Sequence, residues 1–356
     1  MPPGPSLTLT APALRRFITD AFLAVGLSAA DAATAADVLA TADEFGISTH
    51  GVKLLPGYLR RLKGGGARPL GRPHVIRSGP AWALVDGDSA LGPLIGVYAM
   101  QQAIALAQTA GIAYVGVRNG GHFAAIGYYP MLAARAGLIG LSLGNDIPSV
   151  VAPGSKRAVL GTNPLAYAIP AGRHPPILLD MALSTVAGGK VYQARMLERP
   201  IPDNWIVGLD GQPTTQAELY PEQAALVPAG GYKGFGLALL VEMLAGLLSG
   251  AASTFGIASW MTVGADQPTL HGAAFIAIDP AVLGDRAEFL ARVDTLIDEI
   301  HAAPPVPGVE RIIVPGDREY AHQQRAQTEP LELLPDVAAN VRAAAAEAGL
   351  TLADYL

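Results

Sequence analysis

His122 is the residue whose surroundings most favour chemistry in this sequence. It follows the apolar run 112–117 and a short Arg-Asn-Gly-Gly segment, and it opens a stretch that predicts a helix over 123–136. The positive end of a helix favours the neutral imidazole, the form that can accept a proton near pH 7. Gly120 and Gly121 leave room for a ligand beside the ring. The alternative is a hydrogen-bonded structural histidine, which the local spacing alone slightly favours.

Asp180 is a carboxylate inside the apolar run ILLDMAL. An unpaired buried charge is costly, so this side chain needs a partner or a position facing a polar pocket. An imidazole partner would hold one tautomer and stabilise the imidazolium form. Capping of the segment after Ser184 is the competing role. Thr162 and Asn163 offer neutral hydrogen-bonding groups in LGTNPL, which turn chemistry alone also explains.

Three further segments carry polar or phosphate-binding residue types. His50 and Lys53 lie in a polar interruption between two helical patterns, which an ordinary helix connection also explains. The segments GGK at 188–190 and GYKGFG at 231–236 can approach phosphates through backbone N–H groups and an ammonium. A tight turn before a buried helix is the alternative for the second. Neither G-x-G-x-x-G after a strand nor a P-loop occurs, so a Rossmann fold is not predicted.

The composition excludes several classes of protein. With 356 residues, 51% hydrophobic and 15% charged, the chain is expected to be globular with a sizeable core. A formal charge of −6 argues against a nucleic-acid partner. The lack of cysteine excludes disulfides and thiolate chemistry, and no histidine pair has metal-ligand spacing. The longest apolar stretch, 235–248, is too short to cross a membrane, and no signal-peptide pattern is seen, so we expect a cytoplasmic protein.

Helical patterns at both ends of the chain flank alternating strands and helices. This alternation predicts an α/β fold with both faces of the sheet covered. We expect the two ends, 1–72 and about 285–356, to form one discontinuous helical domain around an α/β core at 73–284, whose division into two lobes stays open. The predicted helices are 11–25, 29–44, 52–63, 94–110, 123–136, 233–249, 286–302, 317–328 and 335–348, and the predicted strands are 81–88, 112–117, 137–143, 175–183 and 273–280.

Several segments taken together resemble the type 2 malate/L-lactate dehydrogenase family. They are STHGVKLLPGY, NGGHFAAIGYY, LGTNPLAYAIP, LDMALSTVAGGKV and GGYKGFGLALLVEML, followed by FIAIDP and VPGDREY. The family also contains ureidoglycolate, sulfolactate and cyclic imino-acid (piperideine- and pyrroline-carboxylate) enzymes. The resemblance extends from about residue 10 to the C-terminus. It implies a homodimeric enzyme with a non-Rossmann, mixed-sheet α/β core that binds NAD or NADP, and a helical, substrate-side domain built from both termini.

The resemblance also implies roles for individual residues. His122 matches the proton donor or acceptor, His50 a second acid–base candidate, and Asp180 an aspartate beside cofactor and substrate. The residues expected on the substrate side are Thr49, Lys53, Thr162 and Asn163. The positions expected to contact the cofactor are Asn145, Asp146, Asp180, Met181, Ala182, Lys190, Lys233, Gly316, Asp317 and Arg318.

Departures from the family pattern concern the pocket. Phe45, Leu54 and Gly188 stand where arginines are usual, and two glycines replace serine-asparagine before the second histidine. An arginine grips a carboxylate through a bidentate fork, whereas leucine offers nothing comparable. Lys53 is adjacent to Leu54, but neighbouring helix positions point about 100° apart. We therefore expect a roomier, less cationic pocket and a substrate other than malate or lactate.

The leading hypothesis is a nicotinamide-dependent oxidoreductase acting on a small 2-oxo acid, 2-hydroxy acid or cyclic imino acid. His122 or His50 would supply the proton, and Asp180 would orient or charge the imidazole. Three alternatives are an imine reductase rather than a keto-acid reductase, a non-catalytic relative that keeps only the fold, and a metallohydrolase, which the histidine spacing disfavours. The sequence leaves NAD against NADP, and the choice of histidine, open.

Overall fold

A computed structural model describes residues 5–260 and 262–356. In chain order its elements are β1 (Leu7–Leu9), α1 (Ala11–Ala24), α2 (Ala29–Glu44), α3 (Leu55–Gly64), β2 (His74–Gly79), β3 (Trp82–Asp86), α4 (Gly92–Ala110), β4 (Ile112–Gly120), α5 (Tyr128–Arg135), β5 (Ile139–Gly144), β6 (Val150–Val151), β7 (Ala158–Leu160), β8 (Leu165–Ile169), β9 (Ile177–Met181), α6 (Gly188–Met196), β10 (Ile206–Gly208), β11 (Pro213–Thr214), β12 (Ala224–Leu226), α7 (Tyr232–Val241), β13 (His271–Ile278), α8 (Arg286–His301), α9 (Asp317–Ala326), β14 (Leu331–Leu333) and α10 (Pro335–Ala348).

The main sheet has seven strands in the order β2-β3-β4-β13-β5-β8-β9. Among the described strands of this sheet only β3 and β4 run parallel, while β13 lies antiparallel between β4 and β5. This arrangement puts the start of β13 beside the ends of both neighbours, with His271 opposite Gly120 and Ala273 opposite Gly144. The loops that leave β4 and β5 and the loop that enters β13 therefore meet at one edge of the sheet.

The two ends of the chain pack together against this core. β1 pairs with β14 in an antiparallel ladder, and α10 packs on α3. One hydrophobic core joins the terminal helices to the sheet, with Phe17, Leu39, Leu59, Phe275 and Val341 all buried in it. The predicted mixed-sheet α/β fold with helices from both termini is confirmed. The boundary between two domains stays a prediction.

Three features differ from the sequence predictions. The helix expected at 123–136 begins only at Tyr128, because residues 121–127 form an irregular loop in which Ala124 has a φ of 56°. The helix expected at 233–249 is α-helical to Val241 and π-helical over 242–247. A second, five-stranded sheet of order β11-β10-β12-β6-β7 was not predicted, since its strands have only two or three residues. No helix in the described ranges has the length and apolarity to cross a membrane.

Candidate active site

The two predicted histidines meet at the edge where β4, β5 and β13 come together. His122 lies in the loop after β4, and His50 lies in the connection between α2 and α3. Their imidazole rings stack with centroids 5.9 Å apart and planes 21° apart. The site therefore combines one residue from the terminal helices with one from the sheet.

His122 is held by two aromatic residues. The indole of Trp260 stacks on its ring, with centroids 4.7 Å apart. The Tyr58 hydroxyl lies 2.8 Å from His122 Nδ1 and 3.2 Å from the His122 carbonyl oxygen. Ala124 N–H approaches the same Nδ1 at 3.3 Å. Because the Tyr58 hydroxyl can donate to Nδ1 or accept from it, this nitrogen has a partner in either tautomer, and Nε2 is the nitrogen left for a ligand.

Both imidazoles favour the neutral form. Burial, with a smaller contribution from the neighbouring His50, lowers the pKa of His122 to about 3, while the charge of Asp146 opposes the shift. Burial also lowers the pKa of His50, with Asp146 opposing and Lys53 reinforcing the change. The expected helix-end effect on His122 is not the cause, since α5 begins six residues later at Tyr128.

Asp146 is the carboxylate whose charge acts on both rings. Burial raises its pKa, but the hydrogen bond and charge of His271 and the charge of His122 outweigh that, so the pKa lies below its ordinary value. The buried His271 places Nε2 3.3 Å from Asp146 Oδ1 and Nδ1 2.9 Å from Thr269 Oγ1. An ionised Asp146 stabilises a proton on either neighbouring imidazole.

Asp180 lies in a different cleft from the one beside His122. Its Oδ2 accepts a hydrogen bond from Gly127 N at 2.8 Å, and burial raises its pKa to about 6, with Glu319 adding to the shift. The cleft encloses about 330 Å³, including its open mouth, and Phe45 lines it as well. Among the described residues its hydrogen bond goes to a backbone N–H and not to an imidazole. The charge expected from Asp180 at the histidines comes instead from Asp146.

Thr49 and Lys53, expected on the substrate side, differ in their surroundings. Thr49 Oγ1 lies 2.9 Å from His50 Nδ1, so it orients that ring. Lys53 Nζ donates to Asp336 Oδ2 at 2.7 Å, in an ion pair with the first turn of α10. The ammonium is thus engaged within the protein.

Thr162 and Asn163 both contact Asp146. Thr162 Oγ1 approaches Asp146 Oδ2 at 3.5 Å. Asn163 is fully buried, and its amide nitrogen donates to Ala238 O and Glu242 Oε2 while its oxygen accepts from Asp146 N. Asn163 therefore fixes the backbone of Asp146, and its assignment to the substrate side stays a prediction.

Some of the residues expected to contact the cofactor are buried and hydrogen-bonded within the protein, and others are exposed. Asn145 is buried, accepting from Gly272 N and donating to Ala252 O, both at 2.8 Å. Asp317 accepts from His301 and from Val314 N. The segment 316–318 lies next to β9, which carries Asp180 and Met181, because Leu178 N donates to Pro315 O at 3.0 Å. Ala182 directly follows β9, and Arg318 is exposed.

The exposed groups fit the phosphates of a dinucleotide. Helices α6 and α7 begin without a side-chain cap, and the exposed Lys190 and Lys233 lie in their first turns. A side chain at Gly230 or Gly231 would meet no atom within 4 Å, so the backbone there is open to a ligand. Uncapped helix N-termini with a nearby ammonium are typical pyrophosphate sites.

Five residues near His122 were not singled out from the sequence: Tyr58, Arg61, Trp260, Thr269 and His271. Tyr58 stands within the motif STHGVKLLPGY, where its spacing from His50 gives the only sequence signal. Trp260 lies in a loop with no periodic pattern. Its indole packs against Gly57 on α3, where a Cβ atom would lie only 2.8 Å from the ring. Long-range packing, which one sequence does not display, brings these residues together.

The mixed sheet and the missing Rossmann fingerprint define a non-Rossmann α/β fold, and its paired imidazoles are groups able to transfer protons. The chain belongs to the malate/L-lactate dehydrogenase family, whose sequence model matches residues 9–342. This is a family of NAD-dependent hydroxy-acid dehydrogenases and reductases, so the resemblance seen in the sequence is confirmed.

Several relatives match over nearly their full lengths. L-sulfolactate dehydrogenase from Methanocaldococcus jannaschii is 34% identical over 96% of this chain and 97% of that protein, and its structure superposes with a TM-score of 0.90 over 98% and 99%. Ureidoglycolate dehydrogenase (NAD(+)) from Escherichia coli is 34% identical over 91% and 92%. The structure of delta1-piperideine-2-carboxylate reductase from Pseudomonas syringae is 30% identical, with a TM-score of 0.85 over 95% and 99%.

Proposed function

We propose that this enzyme interconverts a small 2-oxo acid and its 2-hydroxy acid, or reduces a cyclic imino acid, using NAD or NADP with His122 as the proton-transfer group. The observation that carries the proposal is the His122 ring, which has Nδ1 occupied, Nε2 left for a ligand and the ionised Asp146 nearby. His122 also lines a cleft of about 350 Å³ including its mouth. His50 does not line this cleft, so we assign it the supporting role.

The chain supplies binding and proton transfer to this reaction. A nicotinamide held at this site would supply hydride to the carbonyl or imine carbon in reduction and would accept it from the hydroxyl- or amine-bearing carbon in oxidation. In the oxidative direction, neutral His122 accepts the hydroxyl proton at Nε2. In the reductive direction its imidazolium donates that proton, and Asp146 stabilises the charged ring. Tyr58 holds Nδ1, so the ring keeps Nε2 toward the cleft.

We propose that Lys190 and Lys233 hold the dinucleotide phosphates, with Asp180, Met181 and Ala182 lining the remainder of its site. The uncapped starts of α6 and α7 support this. NAD is the first choice, because the Escherichia coli ureidoglycolate relative is named as NAD(+)-dependent. NADP stays an alternative for the assay.

We propose that the helical unit, 1–72 with about 285–356, forms the substrate side of the site against the core at 73–284. Its support is that His50 and Tyr58 come from the first unit while His122, Asp146 and His271 come from the second. The substrate would then bind where the two units meet.

Imine reduction is the second candidate, and Trp260 favours it. Its indole stacks on His122 and forms a flat apolar wall beside the proton-transfer group. A flat cyclic imino acid matches this wall better than a branched, doubly charged acid. The similarity to the Pseudomonas syringae reductase structure supports the same reading.

A cofactor-by-substrate panel tests both candidates. Oxidation of NADH and NADPH is followed with pyruvate, oxaloacetate and piperideine-2-carboxylate, and the reverse reaction with the corresponding hydroxy acids. Turnover of a 2-oxo acid supports the first candidate, and turnover of piperideine-2-carboxylate alone supports the second. No turnover with any pair, together with no binding of either cofactor, would favour a non-catalytic relative.

A further inference from the structure

Arg61 is a buried cation with an unused hydrogen-bonding group. It lies on α3 and is 7% exposed. One guanidinium nitrogen, Nη2, donates to Gln267 O, but the buried Nη1 has no hydrogen-bond partner among the described residues. A buried, unpaired donor on a charged group carries a desolvation cost. Such a group is a natural receptor for an anion.

Arg61 lines the same cleft as His122. Tyr58, Gly121 and Trp260 also line it, and Tyr58 is the residue that contacts His122 Nδ1. Positions 58 and 61 are three apart on α3, so both side chains lie on one face of the helix. The unsatisfied guanidinium and the proton-transfer ring therefore belong to one binding space.

Arg61 is also the cation best placed to act within this cleft. Lys53 is committed to Asp336. Asp266 attracts Arg61, but it is exposed, and within the described residues the two do not form an ion pair. Leu54, which stands where the family pattern usually has an arginine, is buried in the hydrophobic core. The positive charge of Arg61 thus stays available to a ligand.

We propose that Arg61 binds the carboxylate of the substrate, an assignment that rests on the proposed function. In a 2-oxo acid or cyclic imino acid the carboxylate is bonded directly to the carbon that receives hydride. Holding the carboxylate at Arg61 sets the neighbouring carbonyl oxygen or imine nitrogen toward His122 Nε2. A guanidinium suits this task because its parallel N–H donors match a carboxylate.

Two consequences follow for specificity and for protonation. One unpaired cation matches one carboxylate, so a second acidic group on the substrate has no counterpart at Arg61. The bound anion also opposes the effects of burial and of His50 on His122, because a nearby negative charge favours the imidazolium. Substrate binding would therefore prepare the ring to donate a proton.

A pair of unreactive probes tests the assignment. Oxamate carries a carboxylate beside an amide, and oxamide replaces that carboxylate with a second, neutral amide. Their dissociation constants are measured by calorimetry on the NADH-loaded enzyme. We expect Arg61→Gln to weaken oxamate binding by roughly 10- to 100-fold, as for loss of a charge-assisted hydrogen bond, and oxamide binding by less than about twofold. Arg61→Lys should have an affinity for oxamate between that of Arg61→Gln and that of the unchanged enzyme.

Matched glycine variants separate cleft occupancy from folding defects. A Cβ at Gly121 would meet its nearest atoms, Gly92 N and Thr269 Oγ1, at an ordinary 3.9 Å. Gly121→Val should therefore fold, fill the cleft and weaken both probes. Gly284→Val is the control, because a Cβ at Gly284 meets nothing within 4 Å and the residue does not line the cleft.

The outcomes distinguish this assignment from the proposed function. If folded Arg61→Gln binds oxamate like the unchanged enzyme while the substrate panel shows turnover, the Arg61 assignment alone is overturned. If Arg61→Gln misfolds, Arg61→Lys takes its place in the test. A lysine variant that binds both probes as tightly as the unchanged enzyme would count against a bidentate contact between Arg61 and the carboxylate. If the unchanged enzyme binds neither probe and turns over nothing, the proposed function fails as well.

Discussion

At the scale of single residues, Tyr58 connects the terminal helices to His122, the residue proposed for proton transfer. Its hydroxyl lies 2.8 Å from His122 Nδ1, and burial places the Tyr58 pKa far above its ordinary value, so the hydroxyl stays protonated. Tyr58→Phe should lower kcat by roughly 10-fold, the worth of about one hydrogen bond, and leave KM nearly unchanged. Steady-state kinetics across pH measures this.

A matched variant controls for the loss of a tyrosine hydroxyl. Near the C-terminus, the hydroxyl of Tyr355 donates a hydrogen bond to Asp20 at 2.7 Å. Like the hydroxyl of Tyr58, it therefore has a side-chain hydrogen-bond partner. Tyr355→Phe should leave kcat unchanged. Equal kcat for Tyr58→Phe and the unchanged enzyme, with an identical pH profile, would show that the contact does not position His122.

The two histidines are separated by paired substitutions. His122→Asn should lower kcat by about 10²–10⁴, the usual contribution of a general acid or base, while cofactor affinity stays unchanged. His50→Asn should cost less, because His50 acts on His122 through charge and stacking. Kinetics and cofactor titration measure both effects. A larger loss of kcat in His50→Asn would reverse the assignment of the proton-transfer group.

At the scale of elements, the connection between α2 and α3 depends on Asp43. This buried carboxyl accepts from Val52 N at 2.7 Å, and Gly51 is required because a Cβ there would lie 2.3 Å from it. Burial raises the pKa of Asp43 from 3.8 to about 8, with the Val52 bond opposing and Glu44 adding to the shift. The native state thus binds this proton more tightly than the unfolded chain.

The sign of the pH effect follows from that raised pKa. Between pH 3.8 and about 8 the unfolded chain ionises while the native carboxyl does not, so this group lowers stability as pH rises, by up to about 1.4 kcal/mol per unit. Asp43→Asn keeps an acceptor for Val52 and removes the ionisation. We expect its free energy of unfolding to decline less between pH 6 and 8 than that of the unchanged protein, as measured by urea denaturation.

Two further substitutions complete this test. Asp43→Ala removes the acceptor for Val52 N and should cost about 1–3 kcal/mol at every pH. Asp203→Asn, at an exposed carboxyl, should keep the original pH dependence. If Asp43→Asn and the unchanged protein lose stability in parallel as pH rises, Asp43 is already ionised in the native state.

The loop that carries His122 shows where prediction from sequence stops at this scale. The pattern AAIGYYPMLAARAG is compatible with a helix from residue 123, yet the helix begins at Tyr128. The positive φ of Ala124 in the irregular loop is not encoded by hydrophobic periodicity. By contrast, the predicted ends of α1, α2 and α8 lie within about one residue of the observed ends, because helix caps and apolar spacing are local signals.

At the scale of the whole molecule, the sequence motifs indicated the family and the two histidines but not their electrostatic partner. Asp146 acts on both rings because β13 lies between β4 and β5, which brings His271 and Asp146 together. Arg61 and Trp260 reach His122 from segments distant in the chain. These pairings are tertiary contacts between residues with no recognisable spacing, so they required the structure.

We propose that the enzyme is a homodimer that uses the face formed by α7 and the π-helical turns after it. Large apolar side chains are exposed along this face, and a contiguous apolar surface on a folded protein marks an interaction site. Leu240 is 50% exposed and Met243 is 48% exposed. The members of the exposed set are Leu237, Leu239, Leu240, Met243, Leu247 and Leu248.

Charged substitutions on this face should separate the subunits. Two carboxylates facing their symmetry mates would repel and would be costly to bury, so Leu240→Glu with Met243→Glu should halve the molar mass measured by light scattering. Leu283→Glu is the control, since Leu283 is 92% exposed and belongs neither to α7 nor to the π-helical turns. A monomeric mass for the unchanged protein, or an undiminished dimer in the double variant, would exclude this face as the interface. Because Lys233 lies on the same helix, the monomer should also bind NADH more weakly.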